Sequence, residues 1–111
     1  MKIAIIGSRR LTVNNLEKYL PENITEIISG GATGIDQCAK NFALDNHIPL
    51  TEFLPDYTRY GRKAPLIRNL QIINEADIVI AFWDGNSRGT KFVIENCRKL
   101  NKPVRVFVRY S

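Results

Sequence analysis

The sequence predicts an α/β protein: a five-stranded parallel sheet in a three-layer sandwich with helices on both faces. Short β-rich apolar runs alternate with amphipathic stretches along the whole chain. The run Asp77-Ile-Val-Ile-Ala-Phe82 is apolar almost throughout, as a parallel strand buried on both faces must be. The length, 111 residues, fits one domain, assigned to residues 1–111.

Each element follows from its local chemistry. Residues 2–6 form a β-rich run ended by Gly7. Thr12 can cap a helix through Leu20, with Pro21 just past its end. Residues 24–28 read as the second strand. Ile35, Cys38, Ala39 and Phe42 recur at helical spacing, so a helix runs from Gly34 to Asn46. His47 sits at its end, where it favours the helix C-terminus. Residues 48–53 are the third strand, and residues 55–63 a polar loop. Pro65 suits the first turn of a third helix, with Leu66, Leu70 and Ile73 facing inward. The fourth strand spans residues 77–82, and residues 83–89 form a loop. A helix over residues 90–101 turns Val93, Cys97 and Leu100 inward, and Pro103 precedes the last strand, residues 104–108. Strict β-α alternation requires helical crossovers and gives a Rossmann-like sandwich. The expected strand order is 3-2-1-4-5, with 2-1-3-4-5 the alternative that the pattern leaves open.

Composition narrows the function classes. A net charge of +5 favours an anionic ligand or nucleic acid, without choosing between them. Cys38 and Cys97 fall on apolar helix faces and read as reduced core thiols. No Cys/His cluster has metal-ligand spacing, so no metal and no required cofactor are expected. No segment approaches the length of a membrane span, and Met1 leads directly into a strand, so a cytoplasmic location is expected.

In open α/β sheets, ligands bind beyond the carboxyl ends of the strands, where strand order reverses. The loops delivered there are Gly7-Ser8-Arg9-Arg10 and the segment from Trp83 to Thr90, with Ser29-Gly30-Gly31-Ala32-Thr33-Gly34 next to them. Glycines permit close approach of a ligand, and the helix behind supplies free amides and the positive end of its dipole. The same residues have a ligand-free reading, because Thr33 followed by Asp36 matches a capping box. Gly89-Thr90 opens the last helix and can present amides and a hydroxyl to phosphate, with Arg88 pairing through its planar fork. Asp84 can bind a ribose hydroxyl, and Gly85 shapes its turn. Tyr57 and Tyr60, interleaved with Arg59, Arg62 and Lys63, offer stacking beside charge, and Arg68 and Asn69 face the same crevice. Arg9, Arg59, Arg62, Lys63, Arg68 and Arg88 are thus expected at one sheet edge.

Four segments in order resemble the YspA-like branch of the SLOG superfamily: Ile6-Gly7-Ser8-Arg9, Ser29 to Asp36, Tyr60 to Ala64 with Arg68-Asn69, and Trp83-Asp84-Gly85 with Arg88-Gly89-Thr90. That superfamily also contains the DNA-processing protein DprA/Smf and the LOG-type phosphoribohydrolases. The resemblance covers nearly the whole chain and implies a Rossmann-like domain that binds nucleotides or nucleotide-derived signals. The LOG enzymes carry a P-G-G-x-G-T-x-x-E segment; here its glutamate position is Val93. Arg10 and Pro65 also depart from the branch.

The leading expectation is therefore binding or sensing of a nucleotide-type ligand, its phosphate held by the glycine-containing loops. Two alternatives stand beside it. One is a hydrolase of nucleotide N-glycosidic or phosphate bonds, for which Asp36 and Asp84 are the candidate carboxylates and Glu95 a more distant one. The other is single-stranded nucleic-acid binding, the less favoured partner class. A homodimer is the default assembly for a domain of this size.

Overall fold

The computed structural model describes residues 1–110. Its strands are β1 (Lys2–Gly7), β2 (Glu26–Ser29), β3 (Leu50–Glu52), β4 (Ile78–Trp83) and β5 (Val104–Val108). The α-helices are α1 (Ile35–Asp45), α2 (Tyr57–Tyr60), α3 (Ala64–Glu75) and α4 (Arg88–Lys99). Every strand pair is parallel and the order is β3-β2-β1-β4-β5, which excludes the 2-1-3-4-5 alternative.

Side-chain alternation along the central strands divides the core in two. Ile3, Ile5, Ile80 and Phe82 pack with Ile35, Ala39 and Ala43 of α1. Ala4, Ile6, Val79 and Ala81 pack with Ile72 and Ile73 of α3 and with Val93, Ile94 and Cys97 of α4. Because both faces are covered, β1 and β4 can be apolar at nearly every position. Both α1 and α4 end in the same way. His47 and Asn101 adopt left-handed φ of 54° and 56°. The following amides, of Ile48 and Lys102, return to the carbonyls of Ala43 and Cys97 in Schellman geometry.

Several expectations are corrected. The first crossover is not a helix over Thr12–Leu20; only Leu16–Lys18 form a 3-10 turn, entered through Asn15 at φ 57°. Thr12, Val13, Asn14 and Asn15 are poor helix formers. Leu11 and Leu16 are both buried, and positions five apart do not share a helix face, so the core imposes an irregular path. The polar loop at 55–63 instead contains α2 and a 3-10 turn over Gly61–Lys63. On α3, Leu66 and Leu70 point outward (43% and 38% exposed), while Arg68 and Asn69 are buried beside Ile72 and Ile73. Leu100 is exposed because α4 has ended before it.

Gly34 fixes how α1 meets the β1 loop. Its φ of 71° and ψ of −123° belong to a region that glycine alone populates readily. A Cβ there would lie 2.4 Å from the Arg9 carbonyl oxygen, whereas one at Gly61 would meet nothing within 4 Å. Gly34→Ala is expected to cost about 2–4 kcal/mol, combining backbone strain with overpacking. Gly61→Ala should cost at least about 1 kcal/mol less, having strain alone. Urea midpoints of the two variants check the difference.

Candidate functional site

The reversal in strand order falls between β1 and β4, and there the two strand ends are tied together. The Ser8 amide donates to the Phe82 carbonyl (3.1 Å), and the Asp84 amide donates to Ser8 Oγ (3.1 Å). Ser8 is thus a buried clasp across the seam. Beyond it opens a cleft of about 490 Å³, within the size range of small-molecule sites.

Its lining combines the polar Arg9, Arg10, Asp36, Arg68 and Asn69 and the backbone of Gly30 and Ala32 with the apolar Ile6, Pro65, Leu66, Ile72 and Val93. Ser87, Gly89 and Thr90, at the start of α4, also line it, as do Asp84 and Asn86.

Arg68 organises the polar part of the lining. It is 9% exposed, yet its guanidinium is anchored on two atoms. Nε donates to Asn69 Oδ1 (2.9 Å), and Nη1 donates to the carbonyls of Gly30 (2.8 Å) and Phe53 (3.4 Å). Nη2 has no hydrogen-bond partner among the described residues, in a side chain that lines the cleft. The fit explains Gly30, since a Cβ there would stand 2.7 Å from Arg68 Nη1 and 3.0 Å from Asp36 Oδ2.

The glycine loop is partly self-satisfied. Asp36 Oδ2 accepts from the Ala32 amide (3.1 Å), and Ser29 Oγ accepts a long hydrogen bond from the Gly31 amide (3.5 Å). Burial pushes the Asp36 carboxyl above its ordinary range, against the opposing pull of the Ala32 amide and the Arg68 and Arg9 charges. Thr33 is exposed and Gly34 caps α1 without a side-chain hydrogen bond, so the Thr33/Asp36 capping box does not form. Only its acidic half acts, on Ala32. Likewise Ser87, not Thr90, caps α4, accepting from the Thr90 amide.

Asp84 has a structural task. Its Oδ1 accepts from the amides of Ser87 (2.7 Å) and Asn86 (2.8 Å), which holds the loop shut and lowers the pKa of its carboxyl. On α4, Val93 is 2% exposed and forms part of the apolar lining, so the position of the LOG-type glutamate carries no carboxylate.

Among the residues singled out from sequence, Gly7, Arg9, Gly30, Ala32, Asp36, Arg68, Asn69, Asp84, Gly89 and Thr90 line this cleft. Ser8 and Ser29 are buried and act through hydrogen bonds within the loops. Gly31, Thr33, Gly34, Gly85 and Arg88 shape or flank the loops without lining the cleft. Tyr57, 59% exposed, lines neither this cleft nor its smaller neighbour. The expected six-residue basic cluster does not assemble in one place. Arg9 and Arg68 line the main cleft; Arg59 lines the neighbour; Arg62, Lys63 and Arg88 line neither. Ile6, Pro65, Leu66, Ile72 and Val93 line the cleft without having been expected to, and so do Arg10, Asn86 and Ser87, which lie in loops that the sequence does deliver to this edge. Among the described residues no group of His, Cys, Asp and Glu could hold a metal ion, and no helix is long and apolar enough to cross a membrane.

A five-stranded Rossmann-like sheet with glycine-containing loops around a cleft at the switch point defines an α/β domain of the SLOG type. The model of one SLOG family, DNA recombination-mediator protein A, matches residues 1–80, and the chain belongs to that family. It is also similar to the Gene 61 protein of Mycobacterium phage D29, 30% identical over 84 residues, covering 70% of this chain and 67% of the phage protein. No solved structure matches it significantly.

The raised pKa of Asp36 has a definite sign in stability. Its folded value lies above the ordinary 3.8, so the native state holds the proton more tightly than the unfolded chain does. Stability from this group is present at low pH and lost as pH rises from about 3.8 through the folded value. Asp36→Asn keeps an acceptor for the Ala32 amide and removes the titration. The stability of the wild type relative to Asp36→Asn should therefore increase as pH falls from 7 towards 4, read from paired urea titrations.

Proposed function

We propose that the cleft binds a nucleotide-type ligand through its phosphate. One observation carries this reading: Arg68 is buried, aligned through Nε and Nη1, and leaves Nη2 unpartnered among the described residues, in a side chain that lines the same cleft as the first turn of α4. A desolvated, pre-aligned guanidinium that shares a cleft with helix amides is the arrangement that recognises phosphate oxygens. Arg9 and Arg10 add positive charge to the lining, and the apolar Ile6, Pro65, Leu66, Ile72 and Val93 suit a sugar or base. The motifs carry the finer assignment to the YspA-like branch.

Binding is favoured over bond cleavage. Asp84 Oδ1 is engaged by two loop amides, Asp36 Oδ2 by one, and the α4 wall presents Val93. The chain's family favours a second reading, in which the phosphate belongs to single-stranded DNA. Salt dependence separates the two, because a strand neutralised by several cations loses affinity steeply with added salt.

Two variants test the reading. With AMP at about 100 times its Kd, the wild type should gain about 2.7 kcal/mol of stability. Arg68→Ala should abolish that gain, while Arg68→Lys, a single charge without the planar fork, should retain part of it. Gly89 has open space where a Cβ would be and lies in the first turn of α4. Gly89→Ala should stabilise the free protein by about 0.5–1 kcal/mol through helix propensity and weaken AMP binding. Calorimetric titration measures both; a wild type with no heat and no thermal shift for AMP or pyrophosphate overturns the proposal.

A further inference from the structure

A second cleft, of about 260 Å³, lies on the far side of Arg68. Arg68 lines both clefts, and its Nη1 bonds the Gly30 carbonyl on one side and the Phe53 carbonyl on the other. The partition between the clefts therefore includes this one guanidinium and the two backbone segments it joins.

The second cleft differs in chemistry from the first. Its walls combine the apolar Phe53, Leu54, Ala64 and Ile67 with a half-buried Tyr60. The Arg59 guanidinium lies over the Tyr60 ring, 5.3 Å from its centroid. Glu52, Asp56 and Gln71 supply acceptors and an amide at its edge. Asp56 Oδ1 is used in capping α2, where it accepts from the Arg59 amide (3.1 Å), and this fixes the backbone that carries the Arg59–Tyr60 pair. Carboxylates make the cleft a poor phosphate site. A mixed lining that sets a guanidinium over an aromatic ring beside apolar side chains and acceptors matches a nucleobase carrying an exocyclic amine.

We infer that the two clefts form one extended site for two nucleotide units joined by a phosphate, with Arg68 between them holding that phosphate and the Arg59–Tyr60 cleft taking the second base. This rests on the phosphate-binding reading of the first cleft. The shared chemistry has two sources, a free dinucleotide or the end of a nucleic-acid strand.

Titration calorimetry with AMP, the dinucleotide pApA and hexa-adenylate tests the inference on the full chain. The expected result is pApA binding at least tenfold tighter than AMP. Arg59→Ala and Tyr60→Ala should each remove most of that advantage and leave the AMP affinity unchanged. Both substitutions lie at residues outside the buried core, and retained AMP binding shows that each variant is folded. Hexa-adenylate no tighter than pApA identifies a free dinucleotide as the source; hexa-adenylate much tighter identifies a strand end. Equal affinity for AMP and pApA overturns the second cleft while leaving the first intact, and so does a pApA advantage that survives both substitutions. Absence of binding by all three probes overturns both readings.

Discussion

The buried guanidinium of Arg68 is the constraint on which the cleft depends. A charged side chain enters a protein interior only where its donors find fixed acceptors. Here those acceptors come from three places: the carbonyl after β2, the carbonyl after β3, and the neighbouring Asn69. Meeting them sets the rotation of α3 about its axis, which turns Leu66 and Leu70 outward and leaves Ile72 and Ile73 on the sheet. It also requires a residue without a side chain at position 30. One electrostatic requirement thereby positions a helix, two loops and a wall of the cleft.

The sheet provides the frame for that requirement. Its three inner strands, β2, β1 and β4, carry buried apolar residues on both faces. β1 and β4 are neighbours, and the seam between them is the place where loops from both halves of the chain converge. Ser8 then fastens the seam through one amide on each side. The cleft beside the seam is consequently held in shape by hydrogen bonds within the chain itself.

Much of this was legible in the sequence, and the exceptions have physical causes. Strand order and the locations of the strands follow from apolar runs whose period and length leave few alternatives. The placement of the glycine loops at the sheet edge follows from topology. Hydrophobic periodicity failed on α3, because it assigns Leu66 and Leu70 to the core and has no means of seeing that Arg68 and Asn69 satisfy one another there. It failed on the first crossover, because the burial of Leu11 and Leu16 overrides a weak local preference. The capping box at Thr33 and Asp36 does not form because the Asp36 carboxylate reaches the Ala32 amide while Thr33 stays exposed, and three-dimensional reach decides that competition. Proximity in sequence likewise overstated the basic cluster: Arg62, Lys63 and Arg88 do not line the cleft, although Pro65, Ser87 and Gly89 close to them in sequence do.

The contact between Gly30 and Arg68 has a consequence for how this chain can change over time. Any side chain at position 30 collides with a guanidinium that is itself held by backbone carbonyls, so the two positions cannot drift separately. A larger residue at position 30 becomes tolerable only after Arg68 has been shortened, and that first step removes the cleft's buried charge. The mutational route away from this site thus has a fixed order, with loss of the arginine preceding loss of the glycine. A descendant that lost the cleft would show an altered residue at position 68 before one at position 30.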